Sequence, residues 1–256
     1  YFKTVLYSGN GGTQNITSLD FQPDLVWLKK RNGGTYHNLA NSISGTGKVL
    51  YPNGNNAEAS KTTIVTAFNS NGFSLGTEGD INGSGGTFVS WSWKAGGSAS
   101  SNSNGSITTS ISANQDSGFS MVSYTGNNSN GATIGHGLGA APKMVIIKKK
   151  SDTAQWAVGG TNIDSTFNGY MFLDSSGSIA TSDNVFNDTA PSSSVVTLGT
   201  TGDSNSNGQT YIAFCFAEKQ QFSKMGSYVG NGNSSTPTFV YTGFKPSLVI
   251  TKPSSV

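Results

Sequence analysis

The sequence predicts an all-β protein made of tandem antiparallel β-sandwich domains, jelly-roll-like, with two complete copies and the start of a third. Three observations carry this expectation. Ser, Thr, Asn and Gly supply 125 of the 256 residues, and these are poor helix formers and good turn formers. Short apolar runs alternate large and small side chains with period 2, the pattern of strands. The same runs recur in the same order at a spacing of domain size. Disorder is excluded by 14 Phe, 9 Tyr, 4 Trp and a net charge of only +2, because disordered chains lack aromatics and carry high charge.

The first unit covers residues 1–96. It opens with a strand ending in Tyr7-Ser8-Gly9-Asn10. Pro23 then introduces Leu25-Val26-Trp27-Leu28-Lys29, which is apolar on both faces and reads as a central, doubly covered strand. Phe73-Ser74-Leu75-Gly76 follows. The closing run Gly86–Trp93 places Val89, Trp91 and Trp93 on one face and Ser90 and Ser92 on the other, the signature of a half-buried antiparallel strand with its large residues inside.

Residues 97–118 read as a Gly/Ser linker with a short strand, flexible through Gly96–Gly105 and extended at Ser106–Ala113. The second unit, residues 119–220, repeats the first: Tyr124-Thr125-Gly126-Asn127, Pro142 before Val145-Ile146-Ile147-Lys148, Val196-Thr197-Leu198-Gly199, and Tyr211–Phe216. Residues 221–256 start a third copy with Tyr228-Val229-Gly230-Asn231 and Pro246-Ser247-Leu248-Val249-Ile250-Thr251-Lys252. Pro23, Pro142 and Pro246 lie 119 and 104 residues apart, too far for a solenoid repeat and right for a small domain. A stub of two or three strands buries no core by itself, so it is expected to pack on the second unit or on a neighbouring subunit. The chain reads as a piece of a longer polypeptide.

Charge and composition remove several function classes. With 15 Lys+Arg against 13 Asp+Glu, no field exists to hold a nucleic-acid backbone. No apolar run approaches the ~20 residues of a membrane helix. Cys215 is the only cysteine, so no internal disulfide forms, and it reads as a small buried hydrophobe. His37 and His136 stand in no nucleophile or metal-ligand spacing, and the 13 carboxylates form no recognisable pair for glycoside cleavage.

The chemistry candidates are therefore few. Asp80-Ile81-Asn82-Gly83-Ser84-Gly85 and Asp203-Ser204-Asn205-Ser206-Asn207-Gly208 share D-x-N and a closing glycine. Asp80, Asn82, Asp203 and Asn205 are the candidate ligands of a Ca²⁺ loop, although the bidentate Glu that such a loop places at position 12 is replaced by Trp91 and Phe214. An Asx-rich turn before a strand has the same composition for backbone reasons. Trp156 follows a polar turn and is the candidate glycan-stacking residue. Lys29-Lys30-Arg31 and Lys148-Lys149-Lys150 read either as basic patches for acidic glycans or as strand ends emerging into solvent.

Beyond these residues, the chain resembles a tandem β-domain family of marine bacteriophage tail-fibre and virion structural proteins. The segments that carry the resemblance are Ala132-Thr133-Ile134-Gly135-His136-Gly137-Leu138-Gly139-Ala140-Ala141-Pro142, Asn187-Asp188-Thr189-Ala190-Pro191, Tyr211–Glu218, Ser227–Gly232, and, in the first unit, Gly72–Gly76 and Trp91–Gly97. The first unit departs from the second in having Thr17-Ser18-Leu19-Asp20-Phe21 where the second has the His136 stretch. The resemblance implies a virion location and a structural or adhesive role; it carries no reaction and no catalytic residues. The expectation is a non-enzymatic virion protein without a cofactor, part of a tail fibre or similar external appendage used for spacing and host attachment. Its expected partners are other copies of itself, as a homo-oligomer and by analogy a trimer, other virion proteins, and a host cell-surface glycan; neither nucleic acid nor membrane insertion is expected. A capsid-surface or decoration protein, a glycan-binding receptor module and a depolymerase are the alternatives.

Overall fold

A computed structural model describes residues 1–255. Among the described residues the structure is all-β, with antiparallel ladders between its strands and two helices of four residues each. The N-terminal half contains β1 (Phe2–Ser8), β2 (Gln14–Ile16), β3 (Leu25–Lys30), β4 (Asn38–Asn41), β5 (Lys48–Val49), β6 (Ala59–Ser60), β7 (Val65–Asn69), β8 (Gly72–Leu75), α1 (Gly79–Asn82) and β9 (Thr87–Trp93). The C-terminal half continues with β10 (Ser100–Asn102), β11 (Thr109–Asn114), β12 (Phe119–Thr125), β13 (Ala132–Gly135), β14 (Met144–Lys149), β15 (Ala157–Gly160), β16 (Gly169–Phe172), β17 (Ala180–Thr181), α2 (Asp183–Phe186), β18 (Val195–Leu198) and β19 (Thr210–Phe216).

Pairing is nested, as when a long hairpin is folded over on itself. In the first half β1 pairs with β9, the last strand, while β2 pairs with β8, the strand before it, in a second sheet. The sheets have the orders β1-β9-β3-β4 and β2-β8-β7, and β5 pairs with β6 beside them. The second half contains the order β12-β19-β14-β15 within an eight-stranded sheet, opposed by β13-β18. The closing strand is central each time: Trp93 pairs with Phe2 on one side and Leu25 on the other, and Phe216 pairs with Phe119 and Met144.

Three apolar cores separate four sheet layers. Val26, Leu28, Phe73 and Leu75 belong to the core between β1-β9-β3-β4 and β2-β8-β7. Val145, Ile147, Ile134 and Val196 fill the corresponding space in the second half. The third core joins the halves: Leu25 and Leu39 from one sheet meet Phe119, Ile146, Trp156 and Phe214 from the other. Burial on both faces accounts for the apolar runs of β3 and β14, as expected for central strands.

The half-buried reading of the closing strands is corrected. Ser90 and Ser92 are fully buried, and Ala213 and Cys215 are too; the small residues face the core inside each half, and Ile212 and Phe214 face the core between halves. Alternation reports two different neighbours rather than inside against outside. The hydroxyls of Ser90 and Ser92 have no hydrogen-bond partner. Ala213 holds the register position in β19 that Ser90 holds in β9, opposite Ile147 and Leu28 respectively. Ser90→Ala is therefore expected to raise stability by about 1 kcal/mol, since an unpaired buried hydroxyl costs roughly that much; urea unfolding reads it.

The flexible reading of Gly96–Gly105 is corrected in part, since residues 100–102 form β10; the short strand expected at Ser106–Ala113 is present as β11, and both extend the larger sheet beside β12. A side chain at Gly96 would meet the Ala113 carbonyl oxygen at 2.6 Å, so that glycine permits close packing rather than motion. The third copy differs most. Among the described residues no strand forms beyond β19, and residues 226–255 lie largely exposed, touching the body through Gly226, Ser247, Lys252 and Ser254.

Candidate functional site

The two repeated motifs, Y-x-G-N and D-x-N-x-x-G, meet in the structure. The Asn82 side chain is buried; its amide nitrogen donates to Gly12 O at 2.6 Å and Gly76 O at 3.0 Å, and its oxygen accepts from the Asn10 backbone N–H at 3.1 Å. Asn205 repeats this, donating to Ser129 O at 3.0 Å and Gly199 O at 2.8 Å and accepting from Asn127 N–H at 3.0 Å. Tyr7 and Tyr124 donate their hydroxyls to Ile81 O at 2.7 Å and Ser204 O at 2.6 Å. The motif glycine is required by close approach: a side chain at Gly9 would meet Gly83 O at 2.2 Å, and one at Gly126 would meet Ser206 O at 2.4 Å. The two motifs are halves of one latch that ties the end of the opening strand to the loop before the closing strand.

This geometry corrects the calcium-loop reading of Asp80, Asn82, Asp203 and Asn205. Both asparagines aim N–H groups at backbone carbonyls, and their oxygens are taken by backbone N–H groups, so neither presents a ligand. Asp203 accepts from Gln155 N–H at 3.1 Å, and burial lifts its carboxyl above the usual range. Asp80 lies in the first turn of α1. Among the described residues no three His, Cys, Asp or Glu side chains are grouped to hold a metal ion.

Trp156 is corrected as well. It is completely buried, stacks on Phe214 at a centroid distance of 6.3 Å, and donates its indole N–H to Tyr51 O at 3.0 Å and Gly54 O at 3.1 Å. Those carbonyls belong to the N-terminal half, so Trp156 pins one half to the other and offers no face to a sugar. Around it, Ala154 N–H donates to Asn55 O, Glu58 N–H to Lys150 O, and the Lys150 ammonium lies 3.5 Å from the Glu58 carboxylate.

Lys148 completes this seam. Its ammonium is buried and donates to Ala154 O at 2.6 Å and to Asn55 O, across the seam, at 3.0 Å. Lys29, at the matching position of β3, donates to Thr35 O at 2.9 Å within its own half. Lys29 and Lys148 are therefore carbonyl caps, and Lys149 and Lys150 lie beside the Asp152 and Glu58 carboxylates. Burial pushes the Lys148 ammonium down to about 8, against the attraction of Asp174, Asp203 and Asp152 and with Lys149 adding to the fall. An ammonium whose folded value is below its unfolded value of about 10.4 destabilises the fold fully below pH 8, and the cost is relieved as pH rises from there. Wild-type protein is expected to gain stability relative to Lys148→Met between pH 8 and 10. Reading the difference between the two cancels Cys215, pushed up to about 12 by burial, and Tyr7, Tyr124 and Tyr211, also raised by burial, which oppose the fold in that range. Parallel urea curves with no change in the difference would refute a Lys148 ammonium lowered by burial.

The remaining candidates have structural partners. His136 is buried, accepts from Leu138 N–H at 3.2 Å on Nδ1 and so presents Nε2–H to Ser192 O at 3.2 Å; burial lowers its affinity for a second proton. His37 Nδ1 accepts from the Trp27 indole at 2.9 Å. Asp24 and Asp116 line one depression of about 630 Å³. Asp24 is only 1% exposed, and its oxygens accept from Ser42 Oγ at 3.0 Å and Ala95 N–H at 2.8 Å; Asp116 accepts from the Tyr1 hydroxyl at 2.9 Å. Among the described residues no helix is long and apolar enough to cross a membrane.

Sequence reasoning found both latch motifs without seeing that they bind one another, and it missed the seam. The matching positions were available: His37 and Trp156, like Lys29 and Lys148, occupy the same place after the two prolines. Comparison with curated proteins and with solved structures finds no match. The model of one family, described as a domain of unknown function (DUF7483), matches residues 1–256, and the chain belongs to that family.

Proposed function

We propose that this chain is a non-enzymatic structural component of a bacteriophage particle, a stiff spacer in a tail fibre or similar external appendage that presents an attachment surface. The observation that carries this reading is the use of one latch-and-sheet plan twice, with the two copies welded through a third core. Residues with chemical potential, among them Asn82, Asn205, Trp156, Lys148, His136 and Asp24, are spent on backbone groups of the chain itself. A welded stack transmits load without a hinge, which suits a spacer. The low-charge Ser/Thr/Asn surface suits packing against further copies and against other virion proteins. The sequence resemblance to tail-fibre and virion proteins supplies the particle; a host glycan is then an attachment partner for surfaces other than Trp156.

Immunogold labelling of intact particles with antibody against this chain tests the reading. Label is expected on external appendages. Label spread over the head would favour the decoration alternative, and an absence of label from purified particles would overturn a virion role.

A further inference from the structure

Two depressions flank the point where the first half passes the chain to the second. The first, of about 630 Å³, lies between the exit of β9 and the turn that joins β11 to β12. The second, of about 520 Å³, lies between the start of β1 and residues 19–21, and Lys94 lines both. Small-molecule sites occupy roughly 300–1,000 Å³. The first depression has a fixed floor. Asp24 is buried, and its Oδ2 accepts from Ala95 N–H at 2.8 Å and Gly97 N–H at 3.3 Å. Ser112 Oγ accepts from Gly96 N–H at 2.9 Å and donates to Gly97 O at 2.8 Å, while Asn114 Nδ2 donates to Ala95 O at 3.3 Å. Side chains from two distant segments thus hold the glycine pair in one shape. Gly97 has a φ of +80°, and a side chain there would meet nothing within 4 Å, so the floor is open backbone.

The rim differs from the latch and the seam, where polar groups are spent on the backbone. Gln22, Lys94, Gln115 and Asp116 are exposed. Gln115 commits Nε2 to Gly137 O at 3.1 Å and keeps Oε1 free; Asp116 commits Oδ2 to the Tyr1 hydroxyl at 2.9 Å and keeps Oδ1 free. Among the described residues the Lys94 ammonium has no hydrogen-bond or ion-pair partner. The second depression supplies the apolar part, lined by Tyr1, Phe2 and Phe21. Tyr1 is 48% exposed, and its ring is held edge-on by Phe222 at a centroid distance of 6.4 Å. One side chain therefore belongs to both depressions, its ring lining the second and its hydroxyl reaching Asp116 in the first.

We propose that the two depressions form one groove that binds a neutral oligosaccharide, with sugar hydroxyls on Lys94, Gln115 and Asp116 and a sugar face on the Tyr1 ring. Acceptors on neighbouring residues suit hydroxyls on adjacent carbons, and a hydroxyl given to an ionised carboxylate makes a strong bond. The exposed ring beside them suits the C–H face of the same sugar, since an aromatic side chain offers an apolar body next to a polar tip. Lys3 and Lys94 are outnumbered by Asp20, Asp24 and Asp116, so the groove has no positive excess to draw phosphate or sulfate. Asp24 is already answered by N–H groups and the Ser42 hydroxyl, and Lys3 by Asp20 at 2.6 Å, which leaves a cation no unpaired cluster. The geometry of the groove stands by itself; that its glycan lies on a host surface rests on the attachment role proposed above.

The test titrates the isotope-labelled full chain with maltotriose, cellotriose, chitotriose and mannotriose and follows amide NMR shifts. At least one trisaccharide is expected to give saturable shifts centred on residues 94–98 and 113–116 and on 1–3. Lys94→Met and Tyr1→Ala change exposed side chains and are each expected to weaken that binding by about tenfold or more, equal to 1.4 kcal/mol. Unchanged shifts outside the groove in both variants show that the fold is kept. No saturable response to any of the four sugars, shifts confined to other surfaces, or equal binding by both variants would each overturn the proposal. So would inorganic phosphate giving the same shifts at the same concentration, which would make Lys94 an anion contact. Sugar binding by a chain whose antibody leaves particles unlabelled removes the virion role and supports the groove; labelled appendages with no sugar response do the reverse.

Discussion

Trp156→Ala is expected to destabilise the protein by about 3–5 kcal/mol, the range for removing a buried large aromatic. The indole is fully enclosed between β14, β15 and β19 and the 51–54 loop, so little collapse is available to refill the space. Truncation also strips the Gly54 carbonyl of its indole donor, while Tyr51 O keeps the Gly54 N–H, and a buried carbonyl left unpaired costs about 1–3 kcal/mol where water does not reach it. Trp156→Phe separates the contributions: it keeps most of the apolar volume while removing the N–H, so its cost is expected to be about 1–2 kcal/mol. Because the lost contacts join the halves, the alanine variant is expected to unfold in a broader or split transition with a lowered urea slope. A loss under about 1 kcal/mol with an unchanged slope would mean that the seam does not couple the halves.

Much of the fold was legible because a repeat doubles every signal. The order of runs, the proline before β3 and β14, and the glycine that closes β8 and β18 each appear twice, and coincidence rarely repeats a register. The faces of β9 and β19 were not legible. A period-2 pattern states that two faces differ; it does not say that Ile212 and Phe214 look at another sheet while Ala213 and Cys215 look at their own. The burial of Trp156 depends on a loop about a hundred residues earlier, with no local trace beyond its alignment with His37. The third copy repeats the runs of β1 and β3 in sequence, but among the described residues neither forms a strand; in the complete copies both pair with the closing strand, which comes last in the plan. Strand propensity is realised only where backbone groups find partners.

Asn205→Asp decides between the two meanings of the D-x-N loop, with the sign reversed between them. In a cation loop an added carboxylate supplies charge and tightens binding. In the latch it puts an oxygen where an N–H now faces the carbonyls of Ser129 and Gly199, 3.0 and 2.8 Å away, and it buries a charge without a cationic partner. Such a change is expected to cost about 3–5 kcal/mol, as for an uncompensated buried charge. Acidification is expected to recover part of the loss, because the variant carboxyl binds a proton more tightly folded than unfolded: the penalty is full at neutral pH and shrinks as pH falls through the raised folded value. Asn82→Asp is expected to behave in the same way in the N-terminal half, where Gly12 and Gly76 supply the carbonyls. Urea unfolding of both variants, with and without added Ca²⁺, reads the outcome. Rescue by Ca²⁺ would restore the metal reading; equal losses that Ca²⁺ leaves untouched follow if one amide, used twice, holds the opening and closing strands of each half together.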